Sequence, residues 1–185
     1  MRETVLGRKN SVLASLCVSV SLWLHLISCT MGSQQGYEPA QPIAYSHALH
    51  AGELQINCLY CHSGAEKSRH AGVPSASICM NCPAQVKKDA PEIKKLSAAI
   101  ESGTPIEWTR VHRLPDFAYF NHSRHVAANV ACQTCHGAVE TMVRVKQVET
   151  MTMGWCLDCH RNTEKETRSA AKRIAPTTDC SACHY

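Results

Sequence analysis

Two phenylalanines and three tryptophans in 185 residues are thin material for an ordinary apolar core. A chain of this length makes one modest domain or two very small ones. A domain that small buries only part of its surface and depends on large side chains to do so. The apolar surface must therefore come partly from something other than the polypeptide. A permanent membrane span is also poorly provided for. The apolar run Ser11–Ser28 is interrupted by Ser11, Ser15, Ser19, Ser21, Ser28 and His25, which makes it marginal as a spanning helix. Charge of one sign is lacking too: Lys and Arg number 19 against 15 Asp and Glu, a formal balance of +4. Part of that excess lies in Arg2, Arg8 and Lys9 against Glu3. The balance gives no argument for nucleic-acid binding.

Cysteine and histidine are what the chain has in excess. Ten of the 12 cysteines fall in five C-x-x-C pairs: Cys58/Cys61, Cys79/Cys82, Cys132/Cys135, Cys156/Cys159 and Cys180/Cys183. Four pairs are followed directly by a histidine, namely His62, His136, His160 and His184. C-x-x-C-H is the attachment pattern of c-type haem. Two thiols three apart add to the two vinyl groups of one porphyrin, and the adjacent imidazole reaches the iron from one face. The spacing from Cys58 to Cys82 also lies in the zinc-ribbon range, and paired thiols can be disulfides or redox centres. Neither alternative accounts for the histidine after the second cysteine. Four haems are expected on this reading. A fifth, at Cys79/Cys82, is in doubt because Pro83 stands where the ligating histidine should be and has no donor for iron.

A longer composite motif occurs twice. In AYFNHSRHVAANVACQTCH (118–136), Phe120 precedes His122 by two residues, His125 follows, and Cys132–His136 closes the unit. In IAYSHALHAGELQINCLYCH (43–62), Tyr45, His47, His50 and Cys58–His62 follow the same plan. The H-x-x-H pairs are free to supply second axial ligands. With His25 set aside in the N-terminal run, ten histidines remain. Five haems with two histidines each need five distal ligands, and His47, His50, His112, His122 and His125 supply them, with His70 over. Bis-histidine ligation is expected, with reduction potentials low relative to Met/His sites. Met142, Met151 and Met153 are better read as packing residues.

Along the chain, residues 1–28 have the layout of a signal peptide or signal anchor, a positive start and then an apolar run. Leu26-Ile27-Ser28-Cys29 resembles a lipoprotein cleavage box, which makes Cys29 a lipidation candidate. Residues 29–41 form a polar linker broken by Gly32, Gly36 and Pro39. Residues 42–185 are expected to be one multihaem domain, mostly irregular with short α-helices, wrapped around a haem stack. The clearest helix is Asp89–Gly103, with Ile93, Leu96 and Ile100 on one face. A second is expected over Arg161–Arg173. Gly64–Ile78 reads as a loop, and Thr104–Phe120 as extended, its Trp108, Phe117, Tyr119 and Phe120 suited to porphyrin faces.

H-x-x-H ahead of C-x-x-C-H resembles the class III multihaem cytochromes. The segments QPIAYSHALH (41–50), CLYCH (58–62), AGVPS (71–75), CMNC (79–82), RVHRLPDFAYFNH (110–122), CQTCHG (132–137) and MGWCLDCHR (153–161) are similar to the pentahaem subunit of alternative complex III and to the related menaquinone-reductase subunits. The resemblance implies an electron-transfer protein on the periplasmic side of a bacterial membrane, attached by lipid or an N-terminal helix. It also implies partners in a quinone-linked oxidoreductase complex, namely iron–sulfur or molybdopterin-like and integral membrane subunits. Two departures stand out, the lipoprotein-like N-terminus and Pro83. An alternative function, a catalytic multihaem reductase, needs an exchangeable iron position, and the Cys79/Cys82 site is the only hint of one.

Overall fold

A computed structural model of the chain describes residues 33–169 and 176–185, and the signal segment 1–28 and Cys29 lie outside them. Among the described residues there is no strand. Short helical pieces alternate with irregular backbone, as expected for a small multihaem fold. The order is a π-turn Ala48–Glu53, helix Cys58–Cys61, 3-10 turn Ser63–Glu66, helices Ala76–Cys79, Pro83–Val86, Pro91–Ser102, His122–Ala127 and Cys132–His136, 3-10 turn Val139–Thr141, helix Met153–Ser169, and 3-10 turn Cys180–Ala182.

The clearest helix begins two residues later than the pattern suggests. Ala90 precedes a proline and is pushed to extended backbone, φ −64° and ψ 140°, so Pro91 becomes the first helical residue. Gly103 ends the helix at φ 67°, its N–H donating to the carbonyls of Ala99 and Ile100. The helix Met153–Ser169 starts eight residues before the expected Arg161 and takes the Cys156–His160 motif into its first turns. The motif itself suits a helix, because residues three and four apart share one side. Residues 170–173 of the expected span lie outside the described residues.

The polypeptide core is as small as the aromatic count implies. Its buried apolar side chains among the described residues are Ile43, Ala65 and Leu96. Phe117 is 68% exposed, Val143 72% and Val86 74%, so large apolar groups lie outside this small core.

What joins the two composite motifs is a reciprocal exchange. The π-turn that carries His50 packs against the 3-10 turn Val139–Thr141, which follows the haem motif of the second repeat. The helix His122–Ala127, with both histidines of the second repeat, packs against Ser63–Glu66, which follows the haem motif of the first. The hydrogen bonds match position for position. Ala48, one residue after His47, donates its N–H to the Met142 carbonyl at 2.9 Å; Ser123, one after His122, donates to Ser68 at 3.1 Å. Met142 and Ser68 each stand six residues beyond the histidine of their haem motif. Gly52 permits the first of these approaches, and Gly64 permits a tight turn of its own loop. A Cβ on Gly52 would run into the Glu140 carbonyl, and one on Gly64 would lie 2.6 Å from the His70 carbonyl. Both obstacles are backbone and cannot step aside. Gly52→Ala should therefore destabilise the haem-loaded protein by about 1–3 kcal/mol, as overpacking does. Thermal unfolding followed by haem absorbance checks this, and a variant as stable as the parent would contradict the close docking.

Candidate haem sites

Six imidazoles are oriented the same way. Nδ1 of His50 donates to the Ser46 carbonyl at 2.8 Å, of His62 to Gly72 at 2.6 Å, and of His122 to Arg69 at 2.7 Å. Nδ1 of His125 donates to Asn121 at 2.9 Å, of His160 to Thr177 at 2.6 Å, and of His184 to Phe117 at 2.8 Å. A carbonyl can only accept, so Nδ1 carries the proton and Nε2 keeps its lone pair. This is the outer-shell arrangement that fixes the tautomer and orientation of a metal-ligating histidine.

Three pairs of imidazole rings face one another across a gap. His47 and His62 are 6.5 Å apart between centroids and parallel within 3°. His122 and His136 are 6.4 Å apart and parallel within 5°. His125 and His160 stand 6.1 Å apart, tilted by 38°. Metal–imidazole bonds of about 2 Å on each side, plus the depth of each ring, put two ligands of one metal roughly 6 Å apart. Burial, then the neighbouring His62 and His50, pushes His47 down to about 4. Burial, then His112, His122 and His62, pushes His136 down to about 4. Both rings are thus neutral at ordinary pH. The buried Nδ1 of His47 and Nε2 of His112 have no hydrogen-bond partner. An orphaned ring nitrogen, parallel rings held apart and thiols at haem spacing together fit covalent haem.

An aromatic ring supports each H-x-x-H pair. Phe120 meets His122 edge-on at 4.8 Å and lies along His125 at 4.5 Å. Tyr45 meets His47 edge-on at 4.9 Å and lies along His50 at 4.3 Å. Phe120, expected on a porphyrin face, thus packs against the imidazoles of His122 and His125 instead. Tyr119 stacks on Tyr185 at 4.4 Å.

The thiol pairs neighbour one another in a definite order. Burial raises the Cys79 thiol, and Cys61 nearby raises it further. Cys132 is raised by burial and by a hydrogen-bonded contact with Cys58, so the first cysteines of the two repeats touch. Burial, then Cys159 and Cys156, pushes Cys135 up to about 11. Cys156 is raised by burial and then by Cys183. Cys79 thus has Cys61 as a neighbour, Cys132 has Cys58, Cys135 has Cys156 and Cys159, and Cys156 has Cys183. None of these ten cysteines is joined to another in a disulfide. Among the described residues no group of three or more His, Cys, Asp or Glu side chains gathers as a zinc ribbon would require.

His112 meets His136 edge-on at 4.4 Å, beside a site that already has His122 opposite. It is not the facing partner of His136. The ring beside His184 is that of Phe117, at 6.0 Å. His70 is exposed. Pro83 opens the short helix Pro83–Val86. Sequence reading missed Arg69, whose carbonyl holds His122 and whose guanidinium lies 5.0 Å from the Tyr119 ring centre. It also missed the carbonyls of Gly72, Thr177 and Phe117, since a backbone acceptor leaves no mark in residue type.

A family model described as cytochrome c7 and related cytochrome c matches residues 118–185. The chain is also similar to the menaquinone reductase, multiheme cytochrome c subunit of Nitratidesulfovibrio vulgaris. The two are 29% identical over 143 residues, covering 66% of this chain and 68% of the relative. With four complete attachment motifs and imidazoles oriented for iron, the chain is similar to multihaem cytochromes c, and these likenesses imply covalently bound haem c.

Proposed function

We propose that the chain is an electron relay of four bis-histidine haems, with a fifth site at Cys79/Cys82, serving a quinone-linked oxidoreductase on the periplasmic side of the membrane. The observation that carries it is the contiguous order of thiol pairs combined with facing imidazoles. His47 and His62 hold the haem at Cys58/Cys61, His122 and His136 that at Cys132/Cys135, and His125 and His160 that at Cys156/Cys159. His184 holds the haem at Cys180/Cys183. His112, with its orphaned buried Nε2, is the proposed second ligand of that iron, and the exposed His70 is left over.

When bound, haem c supplies a one-electron couple whose potential is set by its axial ligands and burial. The protein's own residues do the positioning. Nδ1–H bonds to backbone carbonyls fix the ring planes and make Nε2 more basic. Occupying both faces of an iron leaves no exchangeable position, which suits relay rather than catalysis. The interlocked repeats hold successive sites side by side, so an electron need not leave the protein between them.

The quinone-linked setting rests on the relative, which is named as a menaquinone reductase subunit. Partners in that setting are iron–sulfur or molybdopterin-like and integral membrane subunits. Among the described residues no helix is long and apolar enough to cross a membrane. Attachment is therefore assigned to the N-terminal segment, through lipid on Cys29 or an uncleaved helix. Export across the membrane accords with c-type haem, which is attached outside the cytoplasm.

The exported, purified protein should carry at least four covalent haems, read by intact mass and pyridine haemochrome absorbance. An apo-chain mass, or zinc in place of iron, would overturn the proposal. His122→Ala and His125→Ala should each turn one low-spin haem high-spin, and a different haem in each. The first should affect the Cys132/Cys135 site and the second the Cys156/Cys159 site. Electron paramagnetic resonance measures the loss. Two unchanged spectra would remove the H-x-x-H pair from the ligand set.

A further inference from the structure

The pair Cys79/Cys82, followed by Pro83, is the site that lacks a histidine of its own, and the repeat architecture says what faces it. In the second repeat His125 is clamped by Phe120 and by the Asn121 carbonyl, and its ring looks across to His160. His160 belongs to the next C-x-x-C pair along the chain. In the first repeat His50 is held in the same manner, by Tyr45 at 4.3 Å and by the Ser46 carbonyl. The next C-x-x-C pair along the chain from that repeat is Cys79/Cys82. Tyr45, stacked on His50, has Cys79 as a neighbour as well as Cys61 of its own motif.

We propose that His50 is the lone protein ligand of a haem tethered by Cys79 and Cys82, so that this iron is five-coordinate and takes small exogenous ligands on its Pro83 face. Proline offers no lone pair to iron. At the first position of the helix Pro83–Val86 its missing N–H breaks no helical hydrogen bond, so the local turn survives the lack of a histidine. Asn81 Nδ2 reaches the Tyr60 hydroxyl at 3.4 Å, tying the Cys79–Cys82 loop to the first haem motif. The site is terminal in the order of thiol pairs, and Cys82 is exposed. An open iron there lies outside the run of the four complete sites and leaves that run unbroken. Small neutral molecules for the ferrous state and small anions for the ferric state are the ligand class.

The inference rests on the relay reading, and the test separates the two. The haem-loaded full chain is reduced and titrated with carbon monoxide, and each C-x-x-C peptide is weighed for haem. The Cys79–Cys82 peptide should carry haem, and the protein should bind about one carbon monoxide per chain, since four irons are closed by two imidazoles each. Pro83→His should abolish that uptake and the matching high-spin ferric signal, with the haem count unchanged. His50→Ala should keep the thioether-bound haem and shift the carbon monoxide stretching band, because the ligand opposite it is gone. A haem-free Cys79–Cys82 peptide beside four loaded ones overturns this inference and leaves the relay standing. No carbon monoxide uptake, uptake undiminished in Pro83→His, or a band unmoved in His50→Ala also overturns it. Haem missing from the four complete motifs overturns both.

Discussion

Everything in this fold depends on the exchange between its two repeats. Each H-x-x-H turn is seated on the turn that follows the other repeat's haem motif, and the first cysteines of the two motifs are neighbours. One backbone hydrogen bond contributes only about 1 kcal/mol net. Three buried apolar side chains add little more. The exchange is therefore a specification of geometry rather than the main source of stability. Covalent haem and its iron–imidazole bonds must supply the rest, so folding and cofactor loading are linked as they are in small metal-dependent domains.

The same exchange gives the two histidines of each pair different destinations. His122 and His125, three apart on one helical turn, share a side of it but face different rings. The first of each pair, His47 or His122, faces the histidine of its own motif. The second, in the case of His125, faces the histidine of the next motif in the chain. In the proposed ligand set this crossing would tie neighbouring haems to a single backbone turn. It would also fix their order, which is the property an electron relay needs.

Much of this was legible in the chain. The five cysteine pairs, the doubled H-x-x-H motif with its leading aromatic, the strandless fold and the helix around Leu96 all follow from spacing and residue type. The relation between the repeats was not legible. It rests on backbone donors at Ala48 and Ser123 and on carbonyls at Ser68 and Met142, and every residue type has those groups. The anchoring of Nδ1 was hidden for the same reason. His112 looked like a ligand from its aromatic surroundings, and its orphaned Nε2 agrees, but its place beside His136 depends on long-range packing. The early start of the helix at Met153 was missed because a haem motif breaks the polar pattern that marks a solvated helix.

The most direct test is a crystal or cryo-EM structure of the haem-loaded protein at a resolution that shows each axial ligand. The account predicts irons in the order Cys79/Cys82, Cys58/Cys61, Cys132/Cys135, Cys156/Cys159 and Cys180/Cys183. Its facing pairs are His47 with His62, His122 with His136, and His125 with His160. Haems in another order, or His47 and His122 bound to irons other than those of their own motifs, would contradict it.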